Sequence, residues 1–197
     1  MRIIAGKLRH QTLLDSSKYK DLHPTTDRNR QALFNVLTNG SFLNDINFNL
    51  VDAKVLDLCC GTGAVGFEAL SRGAKSLTAI DNNNEHLTIA KKNSEKLKIS
   101  NSCKFILADI TKLPLCNEIF DLVFIDPPYS FNYQAIFDEL QKKLYFQKQQ
   151  LIVVESQIKN QVNLENLYHN KFSVLSQKIY GNTVFDFLKT NFNCIKN

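Results

Sequence analysis

At 197 residues, with 44% hydrophobic and 22% charged side chains, the chain has the size and composition of a globular protein with one good core and a small appendage. Apolar runs such as Leu151–Val154 fall far short of the roughly 20 residues that a membrane helix needs, and Met1–Gly6 lacks the pattern of a secretory leader; the expected location is the cytoplasm. Net charge is +5, and residues 1–30 supply +4 of it from seven Lys/Arg against three acids, so the basic arm suits either a polyanionic partner or an ordinary solvated face.

Five cysteines without a CxxC pair, and four scattered histidines, predict free thiols in a reducing compartment and no metal site. In chain order, residues 2–5 and 8–14 read as extended segments around Gly6-Lys7, a small hairpin. His23-Pro24-Thr25-Thr26-Asp27 reads as a turn into a helix that Thr26 caps and Asn39-Gly40 ends. Residues 41–53 form a polar, Asn-rich connection. Strands are expected at 55–58, 76–80, 103–107, 120–125 and 151–155. Helices are expected at 64–72, 84–98 and 132–145, the last with Tyr133, Ile136, Phe137, Leu140 and Leu144 on its apolar face. A short helix follows 155, and 172–180 and 183–189 form a hairpin around Gly181-Asn182. This alternation predicts an α/β fold whose parallel sheet carries one antiparallel edge strand.

The stretch Asp57-Leu58-Cys59-Cys60-Gly61-Thr62-Gly63-Ala64-Val65-Gly66 is a strand, glycine turn and helix start. Such a turn lets backbone approach a ligand and aims unpaired helix amides at it. The GxGxxG spacing, with Asp81 twenty residues after Gly61, leaves a nicotinamide dinucleotide open. Asp57, at the strand end, instead suits a cationic amino group, which S-adenosylmethionine has and NAD lacks. Asp57, Asp81, Asp109 and Asp126 fall at successive strand ends, where ligands bind in such sheets.

Asp126-Pro127-Pro128-Tyr129 adds an acceptor-plus-stacking set suited to an exocyclic amine on a planar base. The Asp126 carboxylate and Pro127 carbonyl can hold the amine hydrogens while Tyr129 stacks on the ring. Positioning and desolvation then supply most of the rate gain.

The chain resembles the RsmD family of class I S-adenosylmethionine-dependent methyltransferases, bacterial 16S rRNA (guanine-N2)-methyltransferases. The matching pieces are Arg2–Lys7, His23–Arg28, Arg30, Ala32–Asn35, Asp57–Gly66, Glu68–Ala74, Asp121–Tyr129 and Tyr180–Thr183, in the family's order. The resemblance implies a Rossmann-like, mostly parallel seven-stranded sheet with one antiparallel strand and helices on both faces. It implies an RNA-contacting hairpin and helix over 1–40 and a methyltransferase domain over 41–197. It also implies that Asp57, Cys60, Gly61, Thr62 and Gly63 hold the methionine part of S-adenosylmethionine. Asp81 with Asn82 would bind the ribose, and Asp109 with Ile110 the adenine. Asp126, Pro127, Pro128 and Tyr129 would receive a flipped guanine, and Lys7, Arg9 and Arg28 would hold RNA phosphates. The implied partner is 16S rRNA within the small ribosomal subunit or its assembly intermediate.

The sequence departs from the family at His23 (usually Arg), Cys59-Cys60 (usually an aromatic-small pair), Asp81 (often Glu) and Asn182 (commonly Asp). The rivals are an adenine-N6 methyltransferase acting on RNA or DNA, an NAD-dependent oxidoreductase, and a non-catalytic RNA-binding assembly factor. The intact Asp57 and Asp126 argue against the last.

Overall fold

The structure is a computed structural model and describes residues 1–14, 25–128, 132–146, 150–160 and 171–191. Seven strands form one sheet: β1 (Lys54–Leu58), β2 (Ser76–Asp81), β3 (Cys103–Leu107), β4 (Leu122–Ile125), β5 (Leu151–Gln157), β6 (Phe172–Tyr180) and β7 (Thr183–Thr190). Their order is β3-β2-β1-β4-β5-β7-β6, with parallel pairing from β3 through β5. Only β7 runs against the others, and it is inserted between β5 and β6. The expected antiparallel edge strand is therefore corrected: the edge is β6, which the Gly181-Asn182 turn folds back outside its partner.

The helices are α1 (Asp27–Asn39), α2 (Phe42–Asp45), α3 (Ala64–Ser71), α4 (Asn84–Lys96) and α5 (Tyr133–Lys142). Side-chain caps start three of them. Thr26 accepts from the Asn29 amide at 3.2 Å, Asn83 from Glu85 at 2.8 Å and Asn132 from Gln134 at 2.9 Å. Strand alternation divides the core in two. Val55, Phe124, Val153, Phe185 and Phe187 pack on the face covered by α1, α3 and α4. Leu56, Leu58, Val123, Ile125, Ile152 and Val154 pack on the face covered by α5. Each of these large side chains, fully buried, contributes about 1.5–3 kcal/mol.

Residues 1–14 share the first core through Ile3, Leu8 and Leu13. The expected hairpin there reduces to one antiparallel bridge, Arg2 with Thr12; Gly6 has φ +81° and His10 φ +70°, so 6–10 is a turn rather than a strand. Two other expectations shift. The polar connection contains the four-residue α2, whose Leu43 is buried. α5 ends at Lys142, and Leu144 sits at φ +63° and is 53% exposed, while Tyr145 turns inward instead.

The chain after β1 enters α3 on one face, and the chain after β4 leads to α5 on the other. The crevice between these diverging connections, at the carboxyl ends of β1 and β4, is the place where an open α/β sheet binds its ligand.

Candidate active site

The loop after β1 is built to bring backbone close to a ligand. Cys59, Gly61 and Gly63 have positive φ (62°, 53° and 78°). A Cβ on Gly63, already at positive φ, would stand 2.5 Å from the Phe67 ring, and one on Gly66 2.5 Å from Leu77, so a side chain at either position would displace its neighbour. Gly63 caps α3 in the left-handed region without a side-chain acceptor, leaving the helix amides facing the crevice. Thr62 is buried, and its carbonyl accepts from the Asn93 amide group at 3.1 Å. Asn93 also accepts from the Leu14 amide at 2.8 Å, so one buried side chain ties the N-terminal arm to this loop.

Asp81 ends β2 and braces the turn. One carboxylate oxygen accepts from the Gly61 amide at 2.9 Å; the other accepts from the Asn83 amide at 2.9 Å and lies 3.3 Å from His86 Nδ1. Asn82 is exposed beside it. Asp109, half-buried, accepts from the Thr111 amide (2.8 Å) and hydroxyl (2.7 Å); these bonds hold its carboxyl below the usual range, as an anion. Ile110 and Cys60 are buried apolar walls.

Asp57 is 2% exposed, and its Oδ2 accepts from the Gly66 amide at 3.1 Å. Burial, only partly offset by that bond, pushes its carboxyl up to about 7, with Asp81 and Glu155 adding to the shift. Asp126 follows β4, half-buried, with its amide donating to the Leu58 carbonyl at 3.4 Å. Burial, then Glu155, then Asp57 raise its carboxyl well above the ordinary value. Pro127 is buried and Pro128 exposed. Tyr129 and His23 lie outside the described residues.

Glu155, on β5, was not anticipated from the sequence. It is 6% exposed, accepts from the Thr25 hydroxyl at 2.9 Å, and burial raises it to about 7. The available signal was the strand-end rule that picked out the four aspartates: Glu155 closes the apolar run Leu151–Val154. The thiols of Cys59 and Cys60, raised by burial and these carboxylates, are unreactive packing groups.

The proposed RNA residues separate. Arg9 and Arg28 line a groove of about 750 Å³ together with Arg2, Arg72, His10 and Asp27. Lys7 is exposed outside that lining, its amide donating to the Ser71 carbonyl at 2.8 Å. Arg30, by contrast, is fully buried. It donates to the carbonyls of Thr25 (3.0 Å) and Arg2 (2.6 Å) and to Asp27 (2.9 Å), and so fixes the start of α1.

A family model described as Conserved hypothetical protein 95 matches residues 1–189. The Haemophilus influenzae protein named Ribosomal RNA small subunit methyltransferase D is 36% identical, over 67% of this chain and 65% of its own. The chain belongs to the RsmD-type family of class I methyltransferases. The Escherichia coli protein of the same name is 32% identical over 81% of this chain and 76% of its own. A solved Escherichia coli structure described as a candidate methyltransferase, yhhF, matches with a TM-score of 0.77 at 28% identity, over 96% of this chain and 97% of that one.

S-adenosylmethionine is the cofactor of this class, and the nicotinamide alternative falls. The residues present fit it. A buried, proton-retaining carboxyl at Asp57 is matched by a cationic amine, which favours its ionised form. The glycine turn and the first α3 amides would take the cofactor's carboxylate end, and Asp81 and Asp109, at the end of β2 and just after β3, would offer acceptors to the rest of it.

Proposed function

We propose that this RsmD-type enzyme methylates the exocyclic N2 amine of a guanine in small-subunit rRNA. The observation that carries the reading is the placement of Asp126-Pro127 at the end of β4, beside the glycine turn of β1, with the N-terminal arm running from Thr25, bonded to Glu155 on the neighbouring strand, to an arginine-lined groove. Thr25 touches Glu155 at one end of this surface, and Arg28, on the first turn of α1, lines the groove at the other. RNA phosphates held by Arg9 and Arg28 would therefore lie within reach of a base turned into the crevice.

S-adenosylmethionine supplies an activated methyl group on a sulfonium when bound. Asp57 holds the cofactor ammonium, and Asp81 and Asp109 receive its ribose and adenine. Asp126 and the Pro127 carbonyl hold the amine hydrogens and direct the nitrogen lone pair along the line of transfer. With the methyl group passing from the sulfonium to N2 and S-adenosylhomocysteine left behind, Asp126 would take the proton that N2 gives up, a role that its raised proton affinity suits. The cofactor's positive charge draws Asp57 and Asp126 toward their ionised forms, so the acceptor is charged when the cofactor is in place.

Asp126→Ala is expected to abolish methyl transfer to small ribosomal subunits while S-adenosylhomocysteine still binds, as measured by calorimetry. Undiminished transfer by the variant contradicts the assignment.

A further inference from the structure

Three carboxyl groups share one face at the end of the sheet. Asp57, Asp126 and Glu155 belong to the neighbouring strands β1, β4 and β5, on the side that Val55, Phe124 and Val153 also face. The β4–β5 register pairs Ile125 with Val154, so its continuation sets Asp126 beside Glu155, one strand spacing of roughly 4.8 Å apart. Glu155 is the strongest charged influence on Asp126. Among the described residues no cation bonds to these three acids. Asp57 is turned to Gly66 and is matched by the cofactor. Glu155 has no comparable partner among the described residues: the Thr25 hydroxyl donates to Oε2, and no described donor bonds Oε1. Oε1 is not among the fully buried unpaired atoms, so beside the amine-holding acid it stays open to a donor that a ligand brings.

We infer that Glu155 is a specificity-determining residue of the base pocket, whose carboxylate accepts the N1–H of the target guanine while Asp126 receives its N2 amine. The inference rests on the guanine reading above and deepens it. Guanine presents two neighbouring donors on this edge, N1–H and N2–H₂. Two carboxylates on adjacent strands are complementary to that pair. Adenine presents an N6 donor beside an N1 acceptor, which Glu155 repels in its ionised form, above about pH 7. Thr25 fixes the orientation of Glu155 from the N-terminal arm, and just further along the same arm Asp27 and Arg28 line the arginine groove, so the arm connects RNA contact to the base pocket. Other titratable groups near this row are Asp81, which acts on Asp57, and the thiol of Cys59. Neither supplies a competing hydrogen bond to Glu155.

The test uses small subunits reconstituted with RNA carrying, at the methylated position, either guanosine or the riboside of 2-aminopurine. The analogue keeps the N2 amine but has an acceptor at N1. Single-turnover rates are compared for the wild type and Glu155→Gln. Loss of a hydrogen bond to a charged acceptor predicts a wild-type preference for guanine of at least about 10-fold. Glu155→Gln can turn its amide N–H toward the analogue's N1, so the preference is expected to fall to within about 3-fold of unity. Comparing the two enzymes on the same pair of substrates cancels the effect of the missing O6. A general structural defect lowers both rates and leaves the ratio unchanged.

An unchanged ratio in Glu155→Gln overturns the inference while leaving the guanine reading intact. Failure of the wild type to methylate either RNA overturns the reading itself. If Glu155→Gln does not fold, Thr25→Val, which removes only the hydroxyl on Oε2, serves instead. It is expected to reduce the preference severalfold, and a wild-type ratio in that variant overturns the inference.

Discussion

Glu68 is the residue on which the N-terminal arm depends, and its removal can be quantified. It is fully buried on α3. Its two oxygens accept from the amides of Ile4 (2.8 Å) and Ala5 (3.0 Å) and from Arg72 Nε (2.7 Å). Arg30 Nε, 3.9 Å away and without a hydrogen-bond partner, faces the same carboxylate. Glu68→Ala leaves the fully buried Arg30 without its nearest compensation at Nε and strips acceptors from two amides. Breaking a buried charge pair of this kind costs about 3–5 kcal/mol. Arg72, 12% exposed at its side chain, can turn partly to water, which places the expected loss near about 3 kcal/mol. Glu68→Gln retains one carbonyl acceptor and is expected to lose about 1–3 kcal/mol. Urea unfolding measures both, and amide hydrogen exchange at Ile4 and Ala5 locates the effect. A loss below about 1 kcal/mol for Glu68→Ala, with those amides still protected, refutes the reasoning.

Asp57, raised to about 7 by burial, retains a proton in the folded protein that it loses near its ordinary value of 3.8 when unfolded. The folded state then binds more protons between those values, so the ligand-free protein loses stability as pH rises toward 7. Cofactor affinity moves the other way. The ionised fraction of Asp57 rises about tenfold between pH 6 and pH 8, and S-adenosylhomocysteine binding is expected to tighten accordingly. Calorimetry across that range should show the trend in the wild type and lose it in Asp57→Asn; a flat wild-type profile contradicts it. For the arm, neutralising Lys7, Arg9 and Arg28 together is expected to weaken subunit binding and reduce the slope of log K against log salt. Each lost phosphate contact lowers it by about 0.7–0.9. A salt titration with an unchanged slope removes these residues from the RNA interface.

Most of the sheet was legible because β1, β2, β4 and the start of β5 are short apolar runs with turn-forming or polar residues at their ends. The glycine turn at 61–66 fixed where the order reverses. The insertion of β7 was not legible: a hairpin signal at Gly181-Asn182 states that two strands pair, not which of them meets β5. Likewise, the periodicity placing Leu144 on α5 could not show that the chain turns left-handed at that residue. In the N-terminal arm, alternation suggested strands. The buried hydrogen bonds to Glu68 and Ser71, from a helix more than 60 positions away, hold it in a turn instead. At the site, the strand-end aspartates stood out by position. Glu155 acquires its significance from Asp126 on the adjacent strand and Thr25 on the arm, a juxtaposition that only the folded sheet creates.

The central claim, transfer of a methyl group to guanine N2 in small-subunit rRNA, is tested most directly by nucleoside mass spectrometry. Small subunits from cells lacking this protein would be incubated with it and isotopically labelled S-adenosylmethionine, and the RNA digested to nucleosides. Labelled N2-methylguanosine is the predicted product. Labelled N6-methyladenosine would preserve the amine chemistry of Asp126-Pro127 and contradict the target. No labelled nucleoside, with cofactor binding demonstrated in the same preparation, would contradict the catalytic claim on this substrate.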